Sequence, residues 1–244
     1  MHTKLQHLRK AVQLLSLLVF PATFYYFSPV IPLMGAYHGI VSGSLLFFVL
    51  LFAQSLFLGR GFCAWVCPGG ALGDYAASAQ PRRLPGLFLR IVKFGIWVPW
   101  LVALALLFVR AGGAHRVEVG FATERCFSVT SLNALIMYLL VIGVFYAFSL
   151  GIGRRASCHA LCWMAPFMMA GRFLSNRLKL SSLRLASEPD ACVSCGRCVA
   201  VCPMSLPIDI LAKEENPSHR DCILCGECIL ACREKCLRFY WGNP

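Results

Sequence analysis

The sequence has little charge and still less acid. Of 244 residues, 14% are charged, and 11 acidic side chains stand against 23 basic ones. A soluble domain carries about a quarter charged residues, so a wholly soluble chain is excluded. No charge falls within residues 39–58 or 132–150. The middles of these runs also lack histidine, which argues against a haem held by two histidines inside a membrane. No flavin or nucleotide motif is present. The basic excess forms no single patch. It collects at the ends of apolar runs, where it sets topology and does not suggest nucleic-acid binding.

What is abundant is apolar length. A bilayer takes roughly 17–25 apolar residues per helix, and four stretches reach it: Ala11 to Met34, Gly39 to Leu58, Ile91 to Val109 and Leu132 to Leu150. The first contains Pro21, Pro29 and Pro32, and the third carries Lys93 near its start. A basic start before the first run is also the shape of a signal peptide, but no clean small-residue cleavage site follows. Lys4, Arg9 and Lys10 precede the first run, Arg60, Arg82 and Arg83 follow the second, and Arg154 and Arg155 follow the fourth. The positive-inside rule then expects both termini in the cytoplasm of a bacterial inner membrane, in a multi-pass protein. Residues 1–174 are expected as the membrane part, 175–189 as a polar linker and 190–244 as a small cytoplasmic domain.

The membrane part contains a repeat. GRGFCAWVC (59–67) is echoed by RRASCHALC (154–162), each with Arg three residues before its first cysteine. Each copy follows a pair of apolar runs, so the membrane domain is expected as a duplicated two-helix hairpin with both thiol pairs on one face. Residues four apart share a helix face, so Cys63, Cys67, Cys158 and Cys162 could present four sulfurs to one site. Three readings stand: a third iron–sulfur cluster, a redox-active dithiol, or buried structural cysteines.

The chain has 14 cysteines, and the most specific signal lies at its end. CVSCGRCVAVCP (192–203) and CILCGECILAC (222–232) are both C-x2-C-x2-C-x3-C, the bacterial ferredoxin spacing. In such runs three thiolates hold one cubane and the fourth crosses to the other. Cluster 1 is therefore expected on Cys192, Cys195, Cys198 and Cys232, and cluster 2 on Cys222, Cys225, Cys228 and Cys202. Zinc prefers two pairs of ligands, and disulfides do not suit a cytosolic face. Gly196 and Gly226 let the backbone approach the sulfurs. Cys236 gives a second C-x-x-x-C after Cys232. Cys232 keeps the standard spacing, so Cys236 is expected to pack beside the cluster, with the reverse assignment as the alternative. Cys126 stands alone in an outer loop. His38, His115 and Arg116, at the outer ends of the spans, are candidates for a quinone contact; solvated loop residues are the plainer reading.

These motifs, in this order, resemble the NapH-type membrane ferredoxins: an Arg-led CAWVCP after the second run, a second C-x-x-x-C after the fourth, and a C-terminal two-cluster ferredoxin. HLRKAVQLL (7–15) resembles that family's entry to its first span. The family's paired-cysteine motif ends in proline, whereas Trp163 follows Cys162, so the chain resembles a divergent branch. The resemblance implies a mainly α membrane protein with four transmembrane helices and a small α+β ferredoxin-like domain carrying two 4Fe–4S clusters. It also implies a quinol dehydrogenase subunit exchanging electrons with menaquinone or ubiquinone and with iron–sulfur, cytochrome or flavin partners. Two alternatives stand beside it: a non-catalytic relay and anchor subunit of a larger redox complex, and a copper-handling or assembly factor using the C-x-x-x-C thiols.

Overall fold

The structure, a computed structural model, describes residues 2–84, 86–124, 127–214, 217 and 219–243; Cys126 lies outside them. The chain opens with α1 (His2–Thr23), a tight turn at Phe24–Phe27, α2 (Val30–Tyr37) and β1 (Ile40–Ser42). Next come α3 (Gly43–Leu58), α4 (Gly61–Trp65), α5 (Pro68–Ala79) and α6 (Gly86–Arg110). Then follow β2 (Arg116–Glu118), α7 (Leu132–Ile152), α8 (Ala156–Ala160) and α9 (Met164–Arg177). The C-terminal part holds β3 (Ser182–Ser187), α10 (Arg197–Val201), α11 (Ile208–Leu211), α12 (Glu227–Ala231) and β4 (Leu237–Gly242).

Among the described residues, three segments are long and apolar enough to cross a bilayer: Lys4–Tyr37, Ile91–Arg110 and Leu132–Ile152. The chain is a membrane protein. Its outward faces are apolar, with Leu18, Val109 and Leu132 at least 70% exposed, as lipid-facing side chains are. The first of these segments is broken. Pro29 cannot supply a backbone donor and restrains the residue before it, so the chain turns at Phe24–Phe27 and restarts as α2. The fourth apolar helix, α3, has 16 residues and is about 24 Å long, shorter than the expected Gly39–Leu58. Its head is lost to β1, which pairs parallel with β2, Ile40 opposite Arg116 and Ser42 opposite Glu118. Ser42 then caps α3, accepting from the Leu45 N–H, and Ser131 caps α7 in the same way.

Helices α3 and α9 pack closely. A Cβ on Gly171 would lie 1.9 Å from the Ser55 hydroxyl, the small-residue contact by which membrane helices approach. The order α3, α4, α5 is repeated as α7, α8, α9: a long apolar helix, a short one bearing the first cysteine, then a third beginning after the second cysteine.

The segment expected as a linker contains β3. It pairs antiparallel with β4 along six residues, Ser182 opposite Gly242 and Ser187 opposite Leu237. Its partner lies fifty to sixty residues onward, so local composition reads as polar linker while the ladder makes it sheet. Around this hairpin the two cysteine runs fold alike. Gly196 and Gly226 have φ of +73° and +78° and start α10 and α12. Ser194 and Leu224 sit at φ +52° and +54°, and Ser205 and Lys235 at +54° and +55°. The glycines are thus needed for a left-handed turn as well as for space.

The C-terminal part is bound to the membrane part by buried charge. Asp221, just before Cys222, is fully buried, and its Oδ1 accepts from Arg60 at 2.9 Å and from Lys93 Nζ at 3.2 Å. Gln6 donates to the Cys225 carbonyl at 2.8 Å, and Arg9 reaches Glu227 at 2.5 Å. Trp65 Nε1 donates to the Leu224 carbonyl at 3.3 Å. The start of α1 and both cysteine runs therefore lie at one end of the helices, and β1 and β2 at the other.

Removing one partner of a buried ion pair costs about 3–5 kcal/mol. Asp221→Ala is therefore expected to lower the thermal midpoint of the purified chain by several degrees and to expose the second cysteine loop to proteolysis. An unchanged midpoint would show that this cluster of charges does not hold the two parts together.

Candidate metal centres

The two ferredoxin runs form two cradles. Cys202, Cys222, Cys225 and Cys228 line one small void, together with Pro203, Leu206 and Leu224. Cys192, Cys195, Cys198 and Cys232 line the other, and Cys236 lines it too. The two cradles differ in depth. Cys225 is buried, and burial, helped by the charge of Cys202 and opposed by the Glu227 N–H, pushes its thiol up to about 12. Cys195 is exposed beside Val193, itself 66% exposed. Asp209 and Glu234 also line the second cradle; the clustered thiols of both fit iron–sulfur chemistry and would suit softer ions as well.

The third group sits where the membrane part meets the C-terminal part. Cys63, Cys67 and Cys162 are buried and Cys158 half-buried. Burial raises the Cys67 thiol well above its ordinary pKa, and charge on Cys63, Cys162 and Cys158 raises it further. Burial likewise pushes Cys162 up to about 12, with Cys158 and Cys63 adding to it and Arg60 opposing. The four thiols are thus near enough to feel one another's charge. Among the described residues, no three cysteine, histidine or acidic side chains converge closely enough to hold a single ion. A cubane places each thiolate on its own iron and asks for wider spacing than one ion does.

Two arginines flank this group, each three residues ahead of a cysteine pair. Arg60 is 2% exposed and Arg155 fully buried. Burial works against the Arg155 charge, but Asp74, 2.7 Å away, outweighs it and holds the guanidinium above its ordinary pKa. Arg155 also donates to the Cys63 carbonyl at 3.2 Å. For Arg60 burial is again opposed, here by Cys63 and Asp221. Asp74 in turn is held below the usual carboxylate range: burial would raise it, but Arg155 and Arg9 prevail. The sequence shows both arginines in the repeat but neither acidic partner, because nothing local links position 60 to 221 or 155 to 74.

An apolar cavity of about 480 Å³ adjoins the thiols. Phe20, Phe27, Val141, Phe145, Cys162 and Trp163 are among its walls. Trp163 Nε1 is committed to the Phe27 carbonyl at 2.7 Å. His38, His115 and Arg116 do not line it; all three are exposed at the far end, near β1 and β2. His115 Nε2 lies 2.8 Å from the Ala111 carbonyl. The cavity was hidden in sequence because FPATFYYF (20–27) reads as part of a span.

Comparison with known proteins agrees with this geometry. Residues 184–233 match a 4Fe-4S dicluster domain, and residues 43–94, which carry Cys63 and Cys67, match a 4Fe-4S binding domain. The chain is 30% identical over 190 residues to the ferredoxin-type protein NapH of Haemophilus influenzae, covering 73% of this chain and 61% of that one. It is a homologue of the NapH-type ferredoxin proteins. Other relatives are the putative electron transport protein YccM of Escherichia coli and the nitrogen fixation protein FixG of Rhizobium meliloti. Each is 26% identical, over 81% and 75% of this chain. The chain spans only 58% of YccM and 38% of FixG. No solved structure matches it.

Iron and acid-labile sulfide, measured on anaerobically purified chain, test the third group of thiols. Wild type is expected to hold about twelve irons and Cys63→Ser about eight, at four per cubane. About eight in both would dismiss iron at the membrane-face thiols.

Proposed function

We propose that the chain is a membrane electron-transfer protein that passes electrons between a quinone at bilayer depth and 4Fe–4S clusters on the cytoplasmic face. One observation carries this reading. Cys63, Cys67 and Cys162 share a continuous buried core with Cys202 and Cys225 of the ferredoxin part, and the apolar cavity opens onto Cys162. Quinone, membrane thiols and ferredoxin run thus become neighbours in one file.

In this reading cluster 1 is held by Cys192, Cys195, Cys198 and Cys232, and cluster 2 by Cys202, Cys222, Cys225 and Cys228. A third centre is held by Cys63, Cys67, Cys158 and Cys162. Clusters of this kind supply one-electron transfer when bound. The protein's own residues do the rest. Arg60 and Arg155 keep positive charge beside the membrane-face thiolates, which lowers the cost of burying negative charge there. Asp221, Gln6 and Trp65 hold the second cysteine loop against α4. Phe48, Met168 and Leu206, each at most 1% exposed, keep water from between the centres. The more exposed cradle, with Cys195, is the exit toward a soluble redox partner.

The cavity is the quinone site of this reading. Its volume lies in the range of about 300–1,000 Å³ typical of small-molecule pockets, and its walls are apolar and aromatic, as a ring with an isoprenoid tail requires. The outer histidines lie about one helix length, roughly 24 Å, from the thiols. That is too far for them to contact a ring that also reaches Cys162.

A copper-handling role has one observation in its favour: Met168 Sδ lies 3.9 Å from Cys63 Sγ, and paired thiolate and thioether are soft ligands that select Cu(I). Copper bound by iron-replete chain and lost in Met168→Leu would support it.

The test is cluster reduction by a menaquinol or ubiquinol analogue in the purified chain. Val141→Trp, which fills the cavity, is expected to slow reduction at least tenfold with iron content unchanged, while His38→Ala and His115→Ala change it less than twofold. Reduction insensitive to Val141→Trp would remove the cavity from the reading. No reduction in the wild type alone would leave the relay and anchor role.

A further inference from the structure

The two ferredoxin cradles share their backbone turns but not all of their walls, since Asp209 and Glu234 line only the second. In the first run the fourth cysteine, Cys202, is followed by Ser205 with φ +54° and then by Leu206, 1% exposed. In the second run Cys232 is followed by Lys235 with φ +55° and then by Cys236, 4% exposed. Leu206 and Cys236 occupy equivalent places. Each lies four residues past the fourth cysteine, after the same left-handed turn, in the wall of a cradle.

The difference between them is chemical. Leu206 offers its cradle a methyl-bearing side chain and a backbone N–H, 3.4 Å from Cys202 Sγ. Cys236 offers a thiol, whose sulfur lies 3.4 Å from Cys232 Sγ. The outer cradle therefore has five thiols where the inner one has four, a leucine and the Met204 thioether. A buried thiol is not needed to fill that volume, since leucine does so in the copy.

We propose that Cys236 is an exchangeable ligand of cluster 1, able to take the place of Cys232. This rests on reading that cradle as an iron–sulfur site. The exchange balances without a redox partner. The iron–sulfur bond to Cys232 breaks as one to Cys236 forms, and the proton of the Cys236 thiol passes to the departing Cys232 thiolate. No electron moves. The separation of the two sulfurs lets one side-chain rotation accomplish the swap with the backbone in place. Its location suits its use: this is the cradle with the exposed Cys195, the one open to water. With a second thiol at the same corner, loss of one bond does not release iron.

The test compares iron and acid-labile sulfide in the anaerobic full chain for Cys232→Ser, Cys236→Leu, the two combined, and Cys192→Ser. Leucine is chosen because the other cradle already accommodates it. Each of Cys232→Ser and Cys236→Leu is expected to keep the wild-type iron, whereas the double variant loses about four irons, as Cys192→Ser does. Iron loss in Cys232→Ser equal to that in Cys192→Ser, or a three-iron EPR signal in it, would overturn the proposal. So would a double variant that keeps all its iron. Full iron in Cys192→Ser would instead sink the reading of the cradle itself.

Discussion

A single buried carboxylate ties the molecule together. Asp221 accepts from Arg60 and Lys93 with no exposure to water, and these three residues come from the C-terminal part, the approach to the first thiol pair and the third apolar helix. Charges this deep are stabilising only as a set, since each alone would carry an unpaid desolvation cost of several kcal/mol. The set therefore acts as a lock on geometry. It fixes the second cysteine loop against the membrane part and leaves the first loop facing outward.

That fixed geometry decides what the thiols can do. Cysteines buried in an apolar interior resist ionising, as the raised Cys67 and Cys162 show, so free they are inert. In the proposed reading, metal and the two flanking guanidiniums would change the balance by supplying the positive charge that burial withholds. The same apolar surroundings that penalise the empty site insulate a filled one. The adjoining cavity, with almost no polar lining, suits an apolar ligand better than a hydrated one.

Much of this was legible in the sequence, and the boundary is instructive. Ligand spacing is local chemistry, so the ferredoxin runs and the C-x-x-x-C repeat could be read directly from Cys63, Cys158, Cys192 and Cys222. The break at Phe24–Phe27 was signalled by Pro29 but not its form. What could not be read was whatever depends on distant partners. β3 exists because β4 lies beside it, and α3 begins late because Ile40–Ser42 found Arg116–Glu118. Nothing local marks the role of Asp221 beside Cys222, since its partners stand 161 and 128 residues away. The equivalence of Leu206 and Cys236 likewise emerges only when two backbones take the same turn.

The central claim is that the membrane-face thiols hold a cluster magnetically close to cluster 2. EPR of the fully reduced, anaerobically purified chain tests it most directly. The account predicts a spectrum of three interacting centres, in which the fast relaxation of cluster 2 slows when Cys162 is replaced by serine. A spectrum of two centres, unchanged in Cys162→Ser, would contradict it.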